Sequence, residues 1–228
     1  MTHRYFGLAA AALLLSTFSG SARAQQTPSA TTVAAWVQAF YDQTTSMNAR
    51  FRQRYRNRVY DRTDESRGRV RFRRPGMLRF DYDAPNGKVV VSDGTNLTVY
   101  EPPDAEGQHG QYFSQPVADS ELPAALSFMM GSGNLGRDFR FRLLASDRFS
   151  YDGQVLELRS RRPSPHYSSI LLFVDDDPRS RGVVQTIVII DHSNNTNRFD
   201  FSERTFNSGV SESDFAYRPP SGSRRVQP

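Results

Sequence analysis

Cysteine is absent from this chain of 228 residues, and lysine occurs only at Lys88, so nearly all of the basic charge is arginine. Without cysteine there are no disulfides and no thiolate metal sites, and the fold must rest on its apolar core. No cysteine is available to carry an N-terminal lipid. The mean hydropathy of −0.60 argues against an integral membrane protein.

Catalytic signatures are also absent. The histidines beyond the N-terminal region are His109, His166 and His192, and all three fall in predicted loops or turns. No G-x-S-x-G, H-E-x-x-H or P-loop pattern occurs, and the acidic run Asp175–Asp177 lacks the spacing of a calcium loop. The sequence therefore predicts a protein that is not an enzyme, with no catalytic residue, metal or cofactor.

The N-terminus has the three parts of a secretory signal peptide. Arg4 precedes the short apolar stretch Phe6–Leu15, and Ala22–Ala24 forms a small-residue cleavage site. The apolar stretch is too short to span a bilayer. We therefore expect residues 1–24 to be a cleaved signal, and residues 25–228 to form one exported domain.

The first two predicted strands alternate apolar and arginine residues, so each has one apolar and one cationic face. On the first strand, the apolar residues are Met47, Ala49, Phe51, Tyr55 and Val59, and the basic ones are Arg50, Arg52, Arg54, Arg56 and Arg58. The second strand places Arg67, Arg69, Arg71 and Arg73 opposite Gly68, Val70 and Phe72. Like charges on adjacent strands repel. This arginine ladder is thus either a solvated face paired with acidic neighbours or a docking face for an acidic partner or anionic lipid.

Further alternation predicts a long antiparallel meander with two helices. The first helix is predicted at about 32–45, and the second has Pro123 near its first turn and Gly131 just past its end. We expect residues 101–115 to be a loop. Later strands are predicted at Phe139–Leu144, Val155–Arg159, Ser169–Val174, Val183–Asp191 and Thr196–Phe206. The fold class is α+β, in which the helices cover the apolar face of a curled sheet.

Several motifs resemble those of the outer-membrane lipoprotein carrier proteins. They are the strand Met47–Gln53, the run Gly68–Phe80 with its R-P pair, the segment Asp83–Tyr100 with its S-D-G turn, and the ending Phe215–Gly222. The resemblance implies an incomplete, half-open antiparallel barrel whose helices form a lid over a hydrophobic cavity. It also implies that Arg74, the arginine of the R-P pair, hydrogen-bonds the lid in the closed state.

From this resemblance we expect a monomeric periplasmic chaperone that binds the acyl chains of lipoproteins. The donor would be an inner-membrane ABC complex and the acceptor an outer-membrane lipoprotein receptor. Acyl contact is expected from Leu78, Phe80, Val91, Leu97, Tyr100, Leu126, Phe128, Met129 and Met130. For most of these residues a dry core is the competing interpretation. A periplasmic sensor of the same fold and a secreted hydrolase are the alternative functions, whereas export disfavours nucleic-acid binding.

Overall fold

The computed structural model describes residues 27–103, 105, 108–117, 126, 128–131 and 133–227. Its α-helices are α1 (Ala30–Asp42) and the short α2 (Leu135–Asp138), and 3-10 helices cover Ser146–Phe149 and Glu212–Phe215. The strands are β1 (Ser46–Asn57), β2 (Arg62–Arg73), β3 (Met77–Tyr82), β4 (Val89–Asp93), β5 (Asn96–Glu101), β6 (Gln111–Pro116), β7 (Phe139–Leu144), β8 (Gln154–Ser160), β9 (Ser169–Val174), β10 (Val184–Ile190), β11 (Thr196–Phe206) and β12 (Arg224–Arg225). No described helix is long and apolar enough to cross a membrane.

All described strands belong to one twelve-stranded sheet with the order β12-β6-β5-β4-β3-β2-β1-β11-β10-β9-β8-β7. Every pairing is antiparallel except that of β12 with β6. β7 and β12 are the two edges and do not pair with each other, so the sheet is not closed into a barrel. This confirms the predicted incomplete antiparallel barrel.

Helix α1 lies against one face of this sheet, which we call the concave face. The Ser29 hydroxyl caps the helix by accepting a hydrogen bond from the Thr32 amide at 3.1 Å. Val33, Val37 and Tyr41 follow at four-residue spacing and are fully buried. The helix therefore begins and ends close to the predicted bounds and turns its apolar stripe into the sheet.

Alternation along each strand separates the concave face from the opposite, convex face. Phe51, Val70 and Phe80 point to the concave side and join one core with α1. Arg50, Arg52 and Arg54 point to the convex side, as predicted for the arginine ladder. Gly68 allows the close packing of this core, because a Cβ there would lie 2.7 Å from the Phe51 ring.

Two expectations need correction. Residues 101–115 are not all loop, since Gln111–Pro116 forms β6. Residues Arg58 and Val59 are not on the strand, which ends at Asn57, and Val59 is exposed in the following turn. The C-terminal tail, for which no strand was predicted, contributes β12, which pairs with β6. Of the predicted second helix, most residues lie outside the described part of the chain; Leu126 and Phe128–Gly131 are described.

The segment that follows β11 crosses the convex face of β2 to β5 before it reaches β6. Arg71 donates to the carboxylate of Asp214 at 2.8 Å, and Arg79 donates to its carbonyl oxygen at 2.9 Å. Tyr217 lies beside Tyr100, with ring centroids 6.3 Å apart. The C-terminal segment thus gives this part of the sheet a covered second face.

Candidate functional site

The concave face carries the largest apolar cluster of the described residues. Leu78 and Phe80 of β3 share it with Leu126 and Phe128–Met130, so the structure brings six of the nine predicted acyl-contact residues together. Tyr41 of α1 packs edge-on against Phe128, with ring centroids 5.2 Å apart. Helix α1 covers the centre of the face together with Leu126 and Phe128–Met130, and we refer to these parts, with the adjoining Gly131, as the cover.

The other three predicted contact residues divide between the two faces. Directly paired residues on adjacent strands point to the same side. Leu97 pairs with Ser92, which pairs with Leu78, so Leu97 is concave. Val91 pairs with Arg79 and therefore lies on the convex face, and Tyr100 packs there beside Tyr217. The expectation that Val91 and Tyr100 share a face with Leu78 is wrong.

Toward the end of β1, the cover no longer reaches the sheet. The exposed fraction of concave side chains rises along this strand from 2% at Phe51 to 37% at Tyr55. Away from the opposite end of the strands, where Phe206 lies, the partly buried apolar residues of the concave face that pack against the core are Tyr82, Val90, Phe141, Leu143, Ile189 and Phe199. We call this set the rim. It is an apolar surface at an open end of the half-barrel.

Aromatic rings dominate the β1–β3 side of this region. Phe51 lies 5.2 Å from Phe80 and 4.9 Å from Tyr82, and Phe199 lies 5.8 Å from Phe80, all measured between ring centroids. Burial raises the pKa of the Tyr82 phenol to about 12, so the ring stays neutral. Sequence reasoning did not single out the rim, because its residues come from distant strands that only the sheet register brings together.

Arg74 occupies the turn between β2 and β3 and contacts the cover. Its Nη1 donates to the carbonyl oxygen of Asp42 at 3.4 Å, and its Nη2 lies 3.5 Å from the Asp42 carboxylate. A cation at the C-terminal end of α1 is favoured by the helix dipole. Gly131 passes so close that a Cβ there would lie 2.7 Å from Nε of Arg74. Arg74 therefore touches both parts of the cover.

A second polar connection joins the cover to the sheet beside Arg74. The Gly76 amide donates to the Met130 carbonyl oxygen at 3.3 Å. The fully buried hydroxyl of Ser92 donates to the Gly76 carbonyl at 2.9 Å and accepts from the Gly94 amide at 3.2 Å. Ser92 thereby fixes the turn that holds Met130. In the sequence, the S-D-G motif indicated only a hairpin turn. A serine at the end of an apolar strand was the available sign of this additional contact.

On the convex face, most of the arginine ladder is paired within the protein. Arg52 bonds Glu65 at 2.6 Å, Arg54 bonds Asp200 at 2.9 Å and Arg71 bonds Asp81 at 2.6 Å. Further pairs join Arg50 to Asp83 and Arg56 to Asp61. Among the described residues, Arg58 and Arg69 form no ion pair, and Arg69 has only a 3.5 Å contact with Asn48.

Electrostatic compensation by several donors occurs at Asp200. Burial alone would raise the pKa of this carboxyl, but hydrogen bonds from Arg198, Thr186 and Arg54 outweigh burial and hold the pKa below its usual value. The hydrogen bond from Arg52 likewise lowers the pKa of Glu65. The acidic neighbours expected from the ladder are therefore present on its inner part.

The family model for outer membrane lipoprotein carrier protein LolA matches residues 42–218. The chain belongs to this family. A carrier of the family from Chromobacterium violaceum is 24% identical over 195 residues, which cover 86% of this chain and 87% of that protein. One from Bordetella bronchiseptica is 30% identical over 156 residues, covering 68% of this chain and 67% of the other.

Solved structures are similar to this chain at lower sequence identity. A LolA superfamily protein from Nitrosomonas europaea has 15% identity and a TM-score of 0.46, with 84% of this chain and 99% of that chain covered. A chain of the MucA/MucB complex from Pseudomonas aeruginosa has 14% identity and a TM-score of 0.44, with 82% of this chain and 61% of that chain covered.

Proposed function

We propose that this protein is a periplasmic carrier that binds the acyl chains of lipoproteins on its concave face and delivers them to the outer membrane. The observation that carries the proposal is the rim. It places partly exposed apolar side chains at an open end of a face whose centre is closed by a separate cover. Acyl chains cost about 0.8 kcal/mol per CH₂ exposed to water, so they need such a surface to cross an aqueous compartment.

The cover is attached to the sheet in a way that suits reversible opening. Near the β2–β3 turn, its contacts include the bonds of Arg74 to Asp42 and of Gly76 to Met130, both longer than 3.2 Å. Beneath it, one buried hydrogen bond runs from the Val184 amide to the Tyr41 hydroxyl at 3.3 Å. The other contacts include Met129 and Met130, whose flexible side chains adapt to varied chains. Replacement of the cover's apolar contacts by acyl chains would keep the face dry in both states.

In this proposal residues 1–24 are the export signal, and they lie outside the described residues. Residues 25–228 act as one domain and as a monomer. An inner-membrane ABC complex is the donor and an outer-membrane lipoprotein receptor is the acceptor. The family supports cargo of this kind, and binding and release require no chemical step.

A release assay tests the proposal. Spheroplasts that make a labelled lipoprotein are incubated with the purified protein, and the label in the soluble fraction is measured. We expect soluble label in a one-to-one complex with the carrier. A lipoprotein that stays in the membrane would overturn the carrier function, and so would equal binding of an unacylated form, which would favour a polypeptide-binding sensor.

A further inference from the structure

The hairpin of β1 and β2 ends in an exposed apolar tip formed by Val59 and Tyr60. Their exposed fractions are 75% and 80%, higher than for any other large apolar side chain in the described part of the chain. Neither residue belongs to an apolar cluster of the described residues, so packing in the core does not account for them. They point to an interaction outside the chain.

This tip projects beyond the rest of the sheet on one side. β2 pairs with β3 only from Gly68 onward, so Arg62–Arg67 has β1 as its one strand neighbour in the described sheet. At about 3.3 Å per residue, this free length is roughly 20 Å. Tyr55, which lies on the concave side four residues before Val59, is at the open end of the half-barrel. The tip therefore projects at the end where the rim is exposed.

Positive charge is concentrated on the same hairpin. Residues 46–73 contain ten arginines and three acidic residues, a net charge of +7, whereas the whole chain carries +5. Partners from other strands offset the base of the hairpin, as with Arg50 and Asp83 or Arg54 and Asp200. Arg58, next to the tip, has no ion pair among the described residues.

We infer that the β1–β2 tip docks the protein on the surface of an anionic phospholipid membrane. Tyrosine is enriched at the membrane–water interface, and arginines next to it reach the phosphates. Two apolar side chains on a single projection are far smaller than a standard protein–protein interface, which needs about 800 Å² on each partner. A bilayer surface accepts such a projection without a complementary pocket. Docking at this end would set the rim against the lipid surface.

Vesicle co-sedimentation tests this inference without any lipoprotein, so its outcome is independent of the carrier function. Residues 25–228, which contain the whole described fold, are mixed with vesicles of phosphatidylethanolamine and phosphatidylglycerol, or of phosphatidylcholine alone. We expect binding to the anionic vesicles that weakens as salt rises. The double variant Val59→Ser, Tyr60→Ser should lower the bound-to-free ratio about tenfold, and Arg58→Gln about fivefold.

Two controls isolate the tip. Arg148→Gln removes an exposed arginine, and Phe149→Ser removes another exposed apolar side chain; both residues lie in the 3-10 helix after β7, at the end of that strand away from the tip. Both should bind anionic vesicles like the wild type. The inference is overturned if the wild type does not bind these vesicles at low salt or if the tip variant binds as well as the wild type. The inference is also overturned if the control variants lose as much vesicle binding as the tip variant, or if the protein binds an acidic protein but not lipid.

Discussion

Arg74 and Asp42 join the β2–β3 turn to the C-terminal end of α1, with Nη1 of Arg74 3.4 Å from the Asp42 carbonyl oxygen. The resemblance implied a latch between this arginine and the lid. Among the described residues its hydrogen-bond acceptor is in α1, while its contact with the second part of the cover is packing against Gly131. One side chain thus touches both parts that would move.

Arg74→Leu should favour the open, loaded form, because opening the cover no longer breaks this contact. Because the bond is long and partly exposed, we expect its loss to shift the equilibrium toward the open, loaded form by about 1 kcal/mol. Release of an acyl probe to acceptor vesicles should then be roughly fivefold slower. Arg73→Leu is the matched control, since Arg73 bonds the Val210 carbonyl instead. Normal release by Arg74→Leu, or equal slowing in the control, would rule out the latch.

Ser92→Ala should loosen the turn that holds Met130. It leaves the Gly76 carbonyl without its donor and the Gly94 amide without its acceptor, at a cost of about 1–3 kcal/mol. Hydrogen exchange at the Gly76 amide, which bonds the Met130 carbonyl oxygen, should accelerate by more than the lower global stability of the variant accounts for. Ser114→Ala removes a hydroxyl that bonds Thr98 on β5 and should leave this amide protected. Unchanged Gly76 exchange in Ser92→Ala would contradict the assignment.

Leu78 and Val91 provide a test of the two faces. Both are buried and lie on adjacent strands, but Leu78 is concave and Val91 convex. Truncation to alanine should destabilise both variants, by about 3 kcal/mol for Leu78 and less for Val91. Only Leu78→Ala should also weaken binding of a fluorescent fatty acid. Weaker binding in Val91→Ala at the same fraction folded would mean that the acyl site is not confined to the concave face.

Asp200 should contribute to the pH dependence of stability. Its pKa is lowered in the folded state, so its contribution is present above the unfolded pKa of about 3.9 and is lost as the pH falls through the folded pKa. Asp200→Asn should be less stable at neutral pH and should lose less stability on acidification. Denaturant titrations at several pH values measure both effects, with the exposed Asp152→Asn as control. Parallel pH profiles for wild type and Asp200→Asn would refute this contribution.

Much of the fold follows from local patterns, and the failures have physical causes. The alternation in β1 and β2 is visible because one face is apolar and the other basic. Val89–Val91 shows no alternation of apolar and polar residues, because both faces of the sheet are covered at this point. The core covers the concave face, and the C-terminal segment covers the convex face. Neither the face of Val91 nor that of Tyr100 could therefore be read from the sequence. β6 was missed because Gln111, Ser114 and Gln115 interrupt its apolar residues beside a loop rich in proline and glycine.

Only the part of the candidate site that lies in local apolar segments could be predicted. Leu78, Phe80 and the Leu126–Met130 residues were found because each lies in an apolar segment. The rim depends on the register among β3, β4, β7, β10 and β11, which no local pattern contains. The pairing of the arginine ladder was expected from charge repulsion, but its partners, such as Asp83 and Asp200, are distant in sequence.

Mass spectrometry of the protein purified from the periplasm under native conditions tests the acyl-carrier function most directly. The account predicts complexes whose extra mass corresponds to an acylated lipoprotein, and fewer of them for Leu78→Ala than for Val91→Ala at equal amounts of folded protein. Recovery of only the bare protein, or of complexes with polypeptides that carry no acyl chain, would contradict it.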